Sequence, residues 1–251
     1  MAGGRPGYGD RMTPGRPKLL EPGVVAVGYL LLEEIAQDRA DEDLALLSEE
    51  ELARHARLSD RGRAEFRSAR ALLRRMLSRY SAEDPRAWRF SRSADGKPEI
   101  AGVGSDRSLA FNVSHTQGLV ACAVARDTAV GIDVEWSGRS RRYEALAGRV
   151  LAPAEREEME SLAASSRIPR FLDYWTLKEA HLKAAGTGLR VPPGALEFCL
   201  LGEQGARCLA GPDPGSTSWH YLRLRPTASH HLAVAFAGED QPRWEIVSPS
   251  P

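Results

Sequence analysis

Cysteine is scarce in this chain. Cys122, Cys199 and Cys208 are an odd number without a CxxC spacing, which argues against a disulfide framework or a zinc site and fits a reducing compartment. An excess of charge of either sign is also missing: 34 Lys and Arg balance 34 Asp and Glu. The molecule as a whole is therefore no electrostatic magnet for nucleic acid or an anionic membrane, and any anion must be met by a local cluster. The longest apolar run, Val24 to Leu32, is too short to span a bilayer. The N-terminus lacks the apolar core of a signal peptide. A cytoplasmic protein is expected, with neither nucleic acid nor membrane as partner. No P-loop, GxGxxG or nucleophile elbow occurs, so the common phosphate-binding motifs do not apply.

What is there is ordinary soluble-protein material, with 42% hydrophobic and 27% charged residues in 251. It suffices for one large domain or two small ones. Residues 1 to about 20, dense in Gly and Pro, read as a mobile tail. Val24 to Leu32 reads as a buried strand. Ser48-Glu-Glu-Glu51 has capping-box spacing and opens a helix to about Arg57. Asp60 caps a longer helix, Arg61 to Tyr80, whose apolar stripe runs from Phe66 to Tyr80 and which carries seven arginines. Asp95-Gly96 signals a turn that presents Lys97 before Pro98. In Ser108 to His115, alternation puts Phe111, Val113 and His115 on one side of a strand and Asn112 and Ser114 on the other. Leu119–Ala125 and Ala129–Trp136 read as an antiparallel hairpin.

Beyond Pro153, which begins a short helix with Glu155, Glu157 and Glu158 in its first turns, the plan repeats. Phe171 to Gly186 reads as one helix, and strands follow near Leu196–Leu201, Trp219–Leu224 and His231–Phe236. The segments Ser114–Ala125 and Ser229–Ala237 state one theme twice. The expected architecture is α+β, in two similar halves, 21–128 and 129–238, each with a long helix on a small antiparallel sheet. The polar stretch 239–251 is expected to fray.

The chemistry centres on carboxylates. Asp133 and Glu135, two apart on a strand, share one face, and like charges held together call for a cation or a raised pKa. Oxygen-only ligands favour Mg²⁺, which usually completes its shell with water and substrate phosphates. Glu179 lies on the Leu172, Trp175, Glu179, Leu182 stripe of the Phe171 helix and would be a third carboxylate if that helix packs near the strand. Lys183, one turn on, could equally form only an intrahelical pair with it. His115 beside Ser114 can offer donors to a phosphate. A basic face on the arginine helix is as readily a solvated face.

Gly131-Ile-Asp-Val-Glu135, followed about forty residues later by Trp175-Thr-Leu-Lys-Glu-Ala-His-Leu-Lys183, resembles the two signature motifs of the 4′-phosphopantetheinyl transferase superfamily. Gly96-Lys-Pro98, Asn112-Val-Ser-His115 and Arg70-Ala-Leu-Leu-Arg74 are similar to its preceding motifs, in order. The layout looks like the Sfp type, a monomeric pseudodimer. The resemblance implies transfer of the phosphopantetheine arm of coenzyme A to a serine of an apo acyl or peptidyl carrier protein, with release of 3′,5′-ADP. It places Asp133, Glu135 and Glu179 on Mg²⁺ and Lys183 on the transferred phosphate. Glu179, directly or through a metal-bound water, is the base. Lys97, Asn112, Ser114 and His115 would hold the nucleotide, with Arg92 and Arg61 or Arg63 at its 3′-phosphate. The three carboxylates alone would also permit another Mg²⁺-dependent phosphoryl-transfer or diphosphate-cleaving enzyme, and the binding groups a regulator without turnover. Trp136 to Pro153, with Arg139, Arg141 and Arg142, reads either as a flexible basic loop or as the docking segment.

Overall fold

The computed structural model describes residues 18–93, 96, 98–102, 106–211 and 218–247, without the side chains of 139–142 and 189. The tail expected over 1–20 and Lys97 thus lie largely or wholly outside the described residues. Strand β1 (Val24–Leu31) is followed by three helices, α1 (Gln37–Leu44), α2 (Glu49–Ala56) and α3 (Asp60–Arg79). The short strands β2 (Arg89–Arg92) and β3 (Pro98–Ala101) form a hairpin, and β4 (Leu109–Thr116), β5 (Leu119–Arg126) and β6 (Val130–Trp136) come next. Three more helices are α4 (Ser140–Val150), α5 (Pro153–Ser161) and α6 (Ala164–Ala185). The chain closes with β7 (Glu197–Leu201), β8 (Gly205–Ala210), β9 (Trp219–Thr227), β10 (His230–Ala237) and β11 (Arg243–Val247). Among the described residues no helix is long and apolar enough to cross a membrane.

The strands make a four-stranded sheet, β11-β1-β5-β4, and a five-stranded sheet, β6-β10-β9-β8-β7. One apolar cluster, including Val25, Val27, Leu119, Ala121, Ile132, Val134 and Val234, lies between them. A second fills the space between α3 and the first sheet, a third that between α6 and the second. Both helices sit close to a glycine: Gly28 on β1 makes room for the Met76 sulfur, and Gly131 on β6 for the backbone of α6. The α+β architecture with a long helix on each small sheet is therefore present.

Several local expectations are corrected. β5 and β6 are not a hairpin: β5 pairs with β1 and β4, and β6 with β10. Asp127, with φ at 55°, turns the chain out of the first sheet, so the short link is a crossover. The segment expected to fray returns as β11, parallel to β1, which gives the first sheet a strand from the far end of the chain and makes it mixed. The packed chain begins before residue 21: Leu20 is buried, and Lys18 bonds Glu245 at 2.7 Å. Ser59, not Asp60, caps α3 by accepting from the Gly62 amide. α6 starts seven residues before Phe171 and tolerates Pro169 in its second turn, where few intrahelical bonds are lost. The capping box on α2 forms as expected, with Ser48 Oγ and the Glu51 carboxylate exchanging backbone donors.

Candidate active site

β4 and β6 are edge strands of different sheets, and their side chains make the seam between the halves. The Ile132 amide donates to Asn112 Oδ1 at 3.0 Å, so Asn112, expected at the nucleotide, spends that oxygen on the seam. Two residues further along β4 and one further along β6, Ser114 Oγ donates to Asp133 Oδ1 at 3.0 Å. Period-two geometry sends Val130, Ile132 and Val134 into the core between the sheets and leaves Asp133 and Glu135 facing α6.

From Phe171 to Ala184 α6 is buried almost all round; the half-buried positions there, Trp175, Glu179 and Lys183, recur every four residues and form one line. Leu172 and Leu182 of the expected stripe are in the core, as expected, with Trp175 packed against that cluster. Lys183 Nζ donates to Asp133 Oδ1 at 2.6 Å, to Ser114 Oγ at 3.1 Å and to the Ile132 carbonyl at 3.2 Å. The intrahelical Glu179–Lys183 reading therefore yields to an ion pair across the two motifs. Asp133 Oδ2 is buried and has no hydrogen-bond partner among the described residues. Glu179 is pushed above the usual carboxylate range by burial first and then by the charges of Asp133 and Glu135, with Lys183 opposing. The Glu135 oxygens accept from Tyr143 Oη at 2.9 Å and Trp175 Nε1 at 3.2 Å.

The other predicted groups gather less tightly. Arg61 pairs with Glu65 at 2.8 Å and donates to Gln117 at 2.9 Å, while His115 Nδ1, exposed, lies 3.6 Å from the other Glu65 oxygen. One carboxylate thus joins two residues expected at a phosphate. Arg63 turns back to the Ala56 carbonyl, and Arg92 donates to the Gly96 carbonyl at 3.0 Å. Arg74, in the arginine motif, is core material: it donates to the Trp88 and Pro85 carbonyls and to Glu51.

Sequence reasoning passed over three residues. Lys178, beside Glu179 in the motif, is fully buried and satisfied by Glu155 at 2.5 Å and by the carbonyls of Val150 and Leu196. Its signal was its place one turn after Tyr174 on a line of core positions. Tyr143 and Trp175 left no signal as partners of Glu135, because a spacing of eight or forty residues says nothing about contact.

Divalent-cation binding can be tested against these groups. Among the described residues no three His, Cys, Asp or Glu side chains are gathered to hold an ion as they stand. The donor chemistry nevertheless fits a hard cation: carboxylate oxygens only, one of them buried without a partner, and mutual repulsion that a cation would relieve.

Residues 129–236 match the family model described as the 4′-phosphopantetheinyl transferase superfamily. The chain is 35% identical over 195 residues to the 4′-phosphopantetheinyl transferase HetI of Nostoc, spanning 77% of this chain and 80% of HetI. It is 27% identical to the 4′-phosphopantetheinyl transferase Sfp of Bacillus subtilis, over 68% of this chain and 73% of Sfp. A solved holo-(acyl-carrier-protein) synthase of Bacillus anthracis aligns with 43% of this chain and 94% of its own, at 20% identity and a TM-score of 0.39. With Asp133, Glu135, Glu179 and Lys183 converging inside the matched segment, the chain belongs to the 4′-phosphopantetheinyl transferase superfamily.

Proposed function

We propose that this enzyme, as a monomeric pseudodimer in the cytoplasm, moves the 4′-phosphopantetheine arm of coenzyme A to a serine of an apo acyl or peptidyl carrier protein. The reaction is Mg²⁺-dependent and releases 3′,5′-ADP. The observation that carries this reading is the Lys183–Asp133 contact, which joins the two signature motifs beside Glu179 and Glu135.

The serine oxygen attacks the phosphorus that bears pantetheine. The bond from that phosphorus to the oxygen bridging the diphosphate breaks, and 3′,5′-ADP leaves with the bond's electron pair. Lys183, a half-exposed cation able to trade Asp133 for a phosphate oxygen, would stabilise charge on the transferred group. Glu179 would accept the serine proton, since a serine hydroxyl is a poor nucleophile until it is deprotonated. Asp133, Glu135 and Glu179 would hold Mg²⁺, which when bound neutralises charge on the diphosphate oxygens. Ser114, His115, Arg61, Arg92 and Lys97 would hold the nucleotide end. Carrier docking is assigned to 136–153, where α4 flanks an apolar groove of about 390 Å³ walled by Tyr143, Leu151, Met159, Ile168 and Phe171. Arg139, Arg141 and Arg142 of that segment have side chains outside the described residues.

The test is to incubate the protein with coenzyme A, Mg²⁺ and an apo carrier and then to weigh the carrier. A gain of one phosphopantetheine arm supports the reading. Binding without a gain would make the protein a regulator, and phosphate release with an unchanged carrier would make it a diphosphate-cleaving enzyme.

A further inference from the structure

Both oxygens of Glu135 are held by side chains from helices far apart in sequence. Tyr143 Oη, on α4, donates to one at 2.9 Å, and Trp175 Nε1, on α6, to the other at 3.2 Å. Phe171 keys the two donors to each other: its ring centroid is 5.7 Å from that of Tyr143 and 6.1 Å from that of Trp175, on which it stacks. Tyr143 is only 2% exposed, so its ring cannot swing away without opening the core. Its one hydroxyl proton is shared with the Trp136 carbonyl, also at 2.9 Å, which fixes Oη against the end of β6. A glutamate left alone would sample many rotamers, and ordering it on binding costs entropy. Here that ordering is done in advance.

We propose that Tyr143 and Trp175 are positioning residues that hold the Glu135 carboxylate in the orientation in which it ligates the divalent cation. The cation affinity of the site is then set partly from α4, an element that contributes no ligand. This rests on the Mg²⁺ reading above. Asp133 is oriented by the site itself, through Ser114 and Lys183, whereas Glu135 depends on groups that touch neither phosphate nor cation. Removing an outer donor of this kind typically weakens metal binding 10–100-fold, because the ligand must then be ordered by the metal alone.

The experiment uses the full-length protein saturated with coenzyme A, without carrier, titrated with Mn²⁺ as a paramagnetic stand-in, with free Mn²⁺ read by its spin-resonance signal. Tyr143→Phe retains the ring and its packing, so its unfolding midpoint should stay near that of the parent while its Kd for Mn²⁺ rises about 10–100-fold. Trp175→Phe should raise it in the same direction. In a Glu135→Gln background, Tyr143→Phe should have no further effect on Kd, which a merely structural role for the hydroxyl would not produce. An unchanged Kd in Tyr143→Phe overturns the proposal. So does a lower one, which would mean that the two donors hold Glu135 back from the cation. If the parent itself binds no Mn²⁺ with coenzyme A present, the Mg²⁺ reading fails and the proposal with it. Binding by the parent with equal binding by both variants sinks the proposal alone.

Discussion

Gly131 lies so close to Ala180 that a methyl group at position 131 would stand 2.0 Å from the Ala180 carbonyl oxygen and 2.6 Å from the Ala184 amide nitrogen. The absent side chain lets α6 rest directly on β6, and α6 carries Glu179 and Lys183 to Asp133. Gly131→Ala must therefore push α6 outward, because the obstacle is backbone and not the end of a flexible side chain. Overpacking of this kind costs about 1–3 kcal/mol. Denaturant unfolding should show a loss of that size. The transfer rate at a temperature where the variant is still folded should fall by more than ten-fold, since Lys183 and Asp133 lose their contact distance. A destabilised variant with parental turnover would show that the site does not need this seating.

The same region shows what was legible in the sequence. Alternation is a local property, so the face shared by Asp133 and Glu135 could be read directly, as could the α6 helix and the α2 capping box. Pairing between strands is not local. The short link after Arg126 has the length of a hairpin turn, and only the left-handed Asp127 and the burial of β5 on both faces send β6 to another sheet. β11 is a five-residue run in an otherwise polar, Pro-containing tail, and its partner β1 lies more than two hundred residues away. Lys178 and Lys183 are indistinguishable as letters. Their partners, Glu155 and Asp133, come from elements whose approach is decided by packing.

Those two lysines should separate stability from activity. Lys178→Met leaves the buried Glu155 carboxylate with its amide donors from Ala152 and Phe198 but without its countercharge. Breaking a buried pair costs about 3–5 kcal/mol, so the C-terminal half should unfold at markedly lower denaturant. Lys183→Ala takes the countercharge from Asp133, but from a half-exposed lysine, and should cost less stability than Lys178→Met. Its turnover should collapse while the affinity for coenzyme A, measured by calorimetry, changes less. The reverse split, weak binding with near-normal turnover, would reduce Lys183 to an anchor.

The N-terminal half has its own charged anchor, and it dictates an acid limb. Burial acts to raise the Glu51 carboxyl, but the Ser48 amide and the guanidinium groups of Arg74 and Arg70 prevail and hold it below the usual carboxylate value. A depressed folded pKa means that this contribution is fully present above the unfolded value of about 4.3. It is lost as pH falls through the folded one. Glu51→Gln should lower stability at pH 7, by about 3 kcal/mol as for other broken buried pairs. It should also flatten the decline in unfolding free energy below about pH 4.3. Parallel acid limbs in parent and variant would remove Glu51 from that role.

Arg61 and His115 converge on the two oxygens of Glu65 at the opening of α3, which makes their destination testable without a bound nucleotide. If a coenzyme A 3′-phosphate displaces Glu65, both side chains turn to it, and a charge-assisted hydrogen bond contributes about 1.5–3 kcal/mol. Arg61→Ala should then raise KM for coenzyme A about ten-fold or more, with kcat little changed, because the contact is the same in ground and transition states. The informative arm is 3′-dephospho-coenzyme A. It should bind the parent more weakly than coenzyme A does, and Arg61→Ala or His115→Ala should make no further difference to it. Glu65→Gln removes the competing carboxylate and should lower KM for coenzyme A while leaving the dephospho form unaffected. A penalty from Arg61→Ala that is equal for both substrates would place the arginine on another part of the nucleotide.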